Sequence, residues 1–123
     1  MKYLGIDYGT KRIGVAVSDD GGKVAFPLAV VAAGPKALSE VHELIQTNAV
    51  GHIVLGESRN NRGEPNAVQE DIEQFKKDLG ELTHLPVVYE AEFFTSALAE
   101  RSGGDDSSAA ALILQSFLDK MNK

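Results

Sequence analysis

Apolar residues in the first third of the chain recur with the two-residue period of β-strands. Residues 12–18 alternate in this way, residues 2–7 form a short β-type run, and residues 23–31 form a third apolar run. Between the second and third runs, Asp19-Asp20-Gly21-Gly22 has the composition of a hairpin turn. Pro27 favours an edge position or a bulge in the third strand, because proline has no amide N–H to donate. The pattern predicts a three-stranded antiparallel meander.

The period then changes to that of an α-helix. Pro35 marks the start of a predicted helix that stops near Asn48, and Pro65 starts a second helix that Gly80 ends. The short apolar run 52–55 predicts a strand between them. The positions expected to be buried are Leu38, Val41, Leu44 and Ile45 in the first helix and Val68, Ile72, Phe75 and Leu79 in the second.

The last third of the chain predicts one more strand and two more helices. The strand spans 86–89, a short helix capped by Thr95 or Ser96 runs to Arg101, and a last helix runs from about Asp105 to Lys120. The order βββ-α-β-α-β-α-α is typical of an α/β protein. We expect one domain over residues 1–123, with a five-stranded mixed sheet (the antiparallel meander plus two parallel strands) flanked by helices.

The composition narrows the kinds of site that the chain can carry. Its 123 residues contain 12 Lys and Arg, 18 Asp and Glu, three His and no Cys, for a formal net charge of −6. The absence of cysteine excludes a disulfide scaffold, a thiol nucleophile and cysteine-ligated metals. The negative charge argues against binding nucleic acid through a broadly basic face. With no long apolar run and no signal-peptide core, a cytoplasmic protein without a membrane segment is the expectation.

Two aspartates occupy positions where a carboxylate is either costly to bury or available to bind a partner. Asp7 ends the first strand, where it is either a turn residue or a partnered or metal-binding group beside the core. Asp106 lies within about 30° of the centre of the last helix's predicted stripe, whereas Asp105 points toward solvent and is the better cap. The other interpretation of Asp106 is a first-turn acid favoured by the helix dipole. That stripe comprises Ala110, Ile113, Leu114, Phe117 and Met121.

A third acid follows the fifth strand. Glu92 is either a solvated loop residue or a site residue, and nearby Glu90 could serve in its place. If Asp7, Glu92 and Asp106 converge, their oxygen atoms would suit Mg²⁺ or Mn²⁺. Such ions support phosphodiester cleavage.

Basic residues flank the same predicted rim of the sheet. Lys11 and Arg12 follow the first turn, and Arg59 and Arg62 lie in the polar loop after the fourth strand. Both groups could hold phosphates, and ordinary solvated loop charges are the alternative. The histidines, His42, His52 and His84, are interpreted as helix-edge or loop residues rather than ligands.

Four segments together resemble the YqgF/RuvX family, whose members are described as Holliday-junction resolvases and pre-16S rRNA nucleases. The segments are GIDYGTKRIGVAVSD (5–19), IVLGESRNNRGEPN (53–66), AEFFTSALA (91–99) and DDSSAAALILQSFLD (105–119). The resemblance covers essentially the whole chain and implies an RNase H-like fold. It places the family's acidic site residues on Asp7, Glu92 and Asp106, and it matches Thr10 and Lys11 to the family's first turn.

The chain departs from the family pattern at several positions near this site. Ala91 and Phe93 stand where the family has an aspartate and an arginine, and Ser58 replaces a loop proline. The basic stretch before the last helix is shortened to Ser102-Gly103-Gly104. Loss of an arginine and of basic residues weakens contact with phosphates.

Three functions are compatible with these observations. The first is a metal-dependent endonuclease acting, as monomer or homodimer, on structured RNA or branched DNA. The second is a nucleic-acid- or ribosome-associated module with weak or lost catalysis. The third starts from GIDYGT, which also resembles the phosphate-binding turn of sugar kinases and actin-like ATPases, although those proteins need two such domains around the nucleotide.

Overall fold

A computed structural model of the chain describes residues 1–57, 69–91 and 106–122. Its strands are β1 (Lys2–Tyr8), β2 (Arg12–Ser18), β3 (Ala25–Ala32), β4 (Val50–Glu57) and β5 (Val87–Ala91). Its helices are α1 (Ala37–Thr47), α2 (Gln69–Thr83) and α3 (Asp106–Met121). The predicted short helix before Arg101, the helix start at Pro65 and the buried position Val68 lie outside the described residues. All five predicted strands are present, with ends that differ by at most two residues.

The five strands form one mixed sheet in the order β3-β2-β1-β4-β5. β1 pairs antiparallel with β2, and β2 pairs antiparallel with β3. β1 and β4 are parallel, as are β4 and β5. The meander and the two added parallel strands are therefore confirmed, and β1 lies at the centre of the sheet.

β3 is an edge strand that also contains a bulge. Val15 and Ala16 are consecutive in β2, but their partners in β3 are Ala29 and Pro27, so Leu28 is the extra residue. The two alternatives raised by Pro27 thus both hold. The bulge lies beside a residue that has no N–H for the ladder.

The predicted end of α2 at Gly80 is wrong. The helix continues to Thr83, and the next residue, His84, adopts φ 57° and donates its N–H to the carbonyl of Gly80 at 2.9 Å. A residue in this left-handed conformation commonly ends a helix, and glycine inside a helix costs only about 1 kcal/mol relative to alanine. α1 also begins later than predicted, at Ala37, because Pro35 belongs to the preceding turn.

Two hydrophobic layers cover the sheet. The first lies under α1 and α2 and includes Leu4, Ile6, Ile13, Val15, Val41, Ile45, Ile53, Leu55, Ile72, Phe75 and Leu79. The second lies under α3 and comprises Tyr3, Ala16, Val54, Ala110, Ile113, Leu114 and Leu118. The predicted burial of Met121 is wrong: its side chain is 43% exposed, because the stripe continues at four-residue spacing through Leu118. Among the described helices, none has the length and apolar character needed to cross a bilayer.

His52 lies in β4, so its interpretation as a helix-edge or loop residue is also wrong. Its ring centroid is 5.2 Å from that of Tyr3 and 5.8 Å from that of Phe117. Its Nε2 atom is buried and has no hydrogen-bond partner among the described residues. Burial in this aromatic setting lowers the pKa of His52 from its usual value of 6.5.

Candidate metal and nucleic-acid site

The carboxyl ends of β1, β4 and β5 meet at one edge of the sheet, because these strands are parallel. We call this edge the rim. On the β1 side it comprises Asp7, Tyr8, the turn Gly9-Thr10-Lys11 and Arg12, the first residue of β2. The rim is therefore where the first group of predicted site residues lies.

Asp7 is half-buried on the side of the sheet that α3 covers. Side chains alternate along β1, and Tyr3 belongs to the layer under α3, so Asp7 lies on that same face. Its partner in β2 is Gly14. In β4, the pair Ile6↔Leu55 places Gly56 next to the level of Asp7. The positions directly beside Asp7 in β2 and β4 are therefore both glycines.

α3 runs antiparallel to β1 and begins at the rim. A Cβ atom at Gly5 would lie 2.7 Å from Cβ of Leu114 and 3.0 Å from the carbonyl oxygen of Ala110. Farther from the rim, the hydroxyl of Tyr3 donates to Sδ of Met121 at 3.3 Å. The helix thus passes over β1 with its first residue nearest to the strand's end.

This packing brings the first and last predicted acids to one level of the molecule. Asp106 precedes Ala110 by four residues, or about 6 Å along a helix axis. Asp7 follows Gly5 by two residues, or about 7 Å along a strand. Because Gly5 and Ala110 are in contact, Asp7 and the first residue of α3 both lie at the rim. Glu92 lies outside the described residues.

Glu90, the alternative to Glu92, is committed to a different contact. It is only 6% exposed, and its Oε2 accepts hydrogen bonds from Oγ of Ser116 at 2.9 Å and from Nζ of Lys120 at 2.6 Å. Ser116 lies ten residues after Asp106, about 15 Å along α3. The carboxylate of Glu90 thus binds the far half of the helix. Sequence reasoning missed this ion pair because its members are thirty residues apart.

The predicted phosphate-binding residues that the structure describes lie exposed at the rim. Thr10 and Lys11 are in the turn, and Arg12 opens β2. The turn depends on Gly9, since a Cβ there would lie 2.5 Å from the carbonyl oxygen of Arg12. Arg59 and Arg62 lie outside the described residues.

The rim on the α2 side is acidic among the residues that the structure describes. The first turn of α2 carries Glu70 and Asp71, both exposed. The ring of Tyr8 packs against Phe75 with centroids 5.2 Å apart. Burial, and secondarily the nearby charge of Asp71, raise the pKa of Tyr8 above 10.0. Asp71 is therefore close enough to the end of β1 to act on it electrostatically.

The donors available for a cation at the rim are oxygen atoms. Within residues 1–57, 69–91 and 106–122, no group of three or more His, Cys, Asp or Glu side chains is arranged to hold a metal ion. The described part of the predicted set is the half-buried Asp7, with the start of α3 at its level. Carboxylate oxygens with no histidine or cysteine fit Mg²⁺ or Mn²⁺ rather than zinc.

A family model described as "RuvX: Holliday junction resolvase" matches residues 1–120. The chain belongs to the RuvX family. Three relatives, each named "Putative pre-16S rRNA nuclease", match over nearly their full length. The Bacillus subtilis (strain 168) protein is 35% identical, with 99% of this chain and 100% of the relative covered. The Nitratidesulfovibrio vulgaris (Miyazaki F) protein is 36% identical, with 97% of this chain and 94% of the relative covered. The Sulfurihydrogenibium protein is 33% identical, with 98% of this chain and 92% of the relative covered.

Solved structures confirm the RNase H-like fold. RuvC from Thermus thermophilus superposes with a TM-score of 0.60 at 18% identity, covering 99% of this chain and 97% of RuvC. Fowlpox virus resolvase, solved with Holliday junction DNA, gives 0.63 at 12% identity and covers both chains completely (100% each). A ROK hexokinase from T. thermophilus gives a TM-score of 0.51 at 27% identity, and the match covers 87% of this chain and 39% of the hexokinase chain. The resemblance of GIDYGT to sugar kinases therefore extends to one part of a longer kinase.

Proposed function

We propose that this RuvX-family chain is a metal-dependent endonuclease that cleaves phosphodiester bonds in structured nucleic acid. The observation that carries the proposal is the common level of Asp7 and the first residue of α3, set by the contact of Gly5 with Ala110 and Leu114. The names of full-length relatives favour an rRNA precursor as substrate. Branched DNA is the second substrate class, supported by the family description.

In this proposal three acids hold the metal. Asp7, Glu92 and Asp106 would bind Mg²⁺ or Mn²⁺ through carboxylate oxygens. When bound, such ions activate water and stabilise the leaving oxygen of a phosphodiester. The positions directly beside Asp7 in β2 and β4 are the glycines Gly14 and Gly56, which add no side chain there.

The phosphates around the cleaved bond would be held by polar and basic residues of the rim. Those residues are Thr10, Lys11, Arg12, Arg59 and Arg62. Their contacts would fix the position of the substrate backbone without reading its sequence. We propose that the protein acts in the cytoplasm, as a single domain and as a monomer or homodimer.

A cleavage panel tests the activity. Pre-16S rRNA fragments, junction DNA and duplex DNA are incubated with the intact protein, Asp7→Asn and the control Asp20→Asn, each with Mg²⁺ or Mn²⁺. Asp20 is a matched control because its side chain is 93% exposed at the opposite end of the sheet. We expect Asp20→Asn to cleave normally and Asp7→Asn to lose at least about 100-fold in rate. Equal rates for Asp7→Asn and the intact protein would overturn the assignment.

The alternative function is a nucleic-acid-binding module with weak or lost catalysis. It is favoured by Phe93, which stands where the family pattern has an arginine, and by the net charge of −6. Salt-sensitive RNA binding without metal-dependent turnover would support this alternative. The kinase hypothesis predicts that ATP raises the thermal midpoint of unfolding, and an unchanged midpoint would exclude it.

A further inference from the structure

The outer edge of β3 has backbone groups that no neighbouring strand uses. Residues of an antiparallel ladder alternately bond the adjacent strand and point their N–H and C=O groups away from it. The N–H of Ala33 donates to the carbonyl of Lys11 at 3.0 Å, so Val31, two residues earlier, also faces β2. The N–H and C=O groups of Val30 and Ala32 therefore point outward from the sheet.

The same edge is protected on the other side of the bulge. The outward N–H of Ala25 donates to Oε1 of Gln115 in α3 at 2.9 Å. Pro27, the next outward position, has no N–H. In the part of the chain that the structure describes, no side chain caps the N–H groups of Val30 and Ala32 in this way. The edge of β3 is thus closed at its start and open at its end.

The segment that contains this open end carries no charge. Residues 24–35 include no Asp, Glu, Lys or Arg, although the chain has a formal net charge of −6. Edge strands that stay single are commonly protected by charged side chains, above all lysine. Here Phe26 and Val30 are apolar and are 51% and 42% exposed. An uncharged strand is also the surface at which two acidic chains meet with the least repulsion.

A small apolar pocket of about 280 Å³ lies directly beyond the open end of β3. It is on the face of the sheet that α1 covers, because α1 contributes to its wall. Phe26 is on the same face, since its partner in β2, Val17, packs against the layer under α1 and α2. The pocket is lined by Ala32, Ala33, Gly34, Pro35, Lys36 and Glu40.

A second copy of the chain is complementary to this edge. If two β3 strands pair antiparallel with Val31 on the two-fold axis, Val30 of each copy exchanges backbone hydrogen bonds with Ala32 of the other. Allowing for the one-residue bulge, this register brings Phe26 of each copy to the level of Pro35 of the other, beside the pocket. The contact is isologous, because each copy supplies both the aromatic side chain and the pocket. Buried aromatic side chains in pockets commonly anchor interfaces.

We propose that the chain forms a homodimer in which two β3 strands pair antiparallel about Val31, with Phe26 of each copy in the pocket of the other. The two five-stranded sheets then join into one continuous sheet. Its two β1 strands are five inter-strand spacings apart, so the two Asp7 residues lie on one face, separated by about 25 Å. The dimer rests on the edge of β3 and its pocket, and it does not depend on the proposed nuclease activity.

Sedimentation velocity over a wide range of protein concentration tests the dimer. The intact protein should shift from the mass of one chain toward twice that mass as the concentration rises. Val30→Lys places a charge on the open edge, and Phe26→Ser removes the anchor. Each should raise the dissociation constant at least about 10-fold. Leu82→Lys is the matched control, because Leu82 is 43% exposed in α2, which packs over β4 and β5, and it should leave the constant unchanged.

Two results of this experiment would overturn the proposal. A chain that stays monomeric at every concentration would leave the open edge to a strand of another protein. A dimer that is as tight in Val30→Lys and Phe26→Ser as in the intact protein would use a different surface. Both results are independent of cleavage, so failure of the nuclease assay does not decide between them.

The lack of cysteine allows the register to be tested separately. In the proposed dimer, residue 30 of one copy and residue 32 of the other form a hydrogen-bonded pair with Cα atoms about 5.5 Å apart. A disulfide can span this distance. Val30→Cys and Ala32→Cys proteins, mixed and then oxidised with oxidised glutathione, should therefore become linked to each other. Each variant oxidised alone is the control, because identical residues are about 7 Å out of register along the strands. Linkage of either variant to itself as rapidly as to the other would overturn the proposed pairing.

Discussion

Gly5 and Leu114 are in direct contact across the interface between β1 and α3. A methyl group at Gly5 would lie 2.7 Å from Cβ of Leu114, closer than two carbon atoms can pack. The nearest obstacle is thus the first atom of a side chain, which no rotamer change can move. The absence of a side chain at Gly5 therefore sets how closely α3 approaches the strand that carries Asp7.

Gly5→Ala should destabilise the fold and disturb the rim. Overpacking a buried contact typically costs about 1–3 kcal/mol in the free energy of unfolding. We expect a lower urea midpoint and, because α3 must shift, weaker Mn²⁺ binding measured by calorimetry.

Gly80→Ala is the matched control for this substitution. Gly80 lies inside α2, and the nearest heavy atom to an added Cβ is Cγ2 of Val87 at 3.9 Å, an ordinary contact. This variant should be as stable as the intact protein or more stable by up to about 1 kcal/mol. A Gly5→Ala protein as stable as Gly80→Ala would contradict the close-packing argument.

Removing one partner of the Glu90–Lys120 pair should lower the free energy of unfolding more than removing both partners. Lys120→Met would leave the Glu90 side chain, which is 7% exposed, with the Ser116 hydroxyl as its hydrogen-bond donor among the described residues, at a cost of about 1–3 kcal/mol. Adding Glu90→Gln should recover part of that loss, since no buried charge remains. A double variant that is less stable in urea than Lys120→Met would refute this account.

The exposed ion pair between Lys2 and Asp20 gives the comparison for that experiment. Its atoms are 3.9 Å apart, and the Asp20 side chain is 93% exposed. Lys2→Met should change the free energy of unfolding by less than about 0.5 kcal/mol.

Asp19 should make the β2–β3 hairpin sensitive to acid. Its Oδ1 accepts hydrogen bonds from the amides of Lys23 at 2.8 Å and Val24 at 3.1 Å. The bond from Val24, and then that from Lys23, lower the pKa of Asp19 below 3.8. The carboxylate therefore stabilises the fold above pH 3.8, and this stabilisation disappears as the pH falls through the lowered pKa. In urea, Asp19→Ala should be less stable than the intact protein at pH 7, and the difference should become smaller as the pH falls below 3.8.

His52 should give the protein a second, milder loss of stability in acid. Its pKa in the folded state is below 6.5 because of burial, so the unfolded chain binds the proton more readily. The contribution of neutral His52 to the free energy of unfolding is therefore complete above pH 6.5 and decreases as the pH falls below that value. His52→Phe keeps an aromatic ring against Tyr3 and Phe117 and should reduce the decrease measured in urea between pH 7 and pH 5. A variant with the same pH dependence as the intact protein would exclude His52 as its source.

Local patterns predicted the sheet well because its strands are bounded by strong signals. The alternation in residues 12–18 gave β2 with its observed ends, and Pro27 correctly indicated both an edge and a bulge. The predicted helix end at Gly80 was wrong because a glycine can take the helical conformation when tertiary packing favours it. The predicted burial of Met121 was wrong because a buried stripe drawn at the mean helical spacing does not show which residue of the last turn the sheet covers.

The candidate site was predictable only as far as it depends on residues close to an element's end. Asp7 and Lys11 follow from the end of β1 and its turn. The contact that brings α3 over Asp7 joins Gly5 to Leu114, more than a hundred residues apart, and no local pattern encodes it.

The separation of the rim from the two buried layers has a consequence for how this family can diversify. The departures from the family pattern, at Ser58, Ala91, Phe93 and 102–104, all follow or end β4 and β5, whereas the layers are built from side chains within strands and helices. None of these positions is among the side chains that form the two layers in the part of the chain that the structure describes. Segments 58–68 and 92–105 of a relative could accordingly be exchanged into this chain, so that new substrates are acquired on an unchanged scaffold.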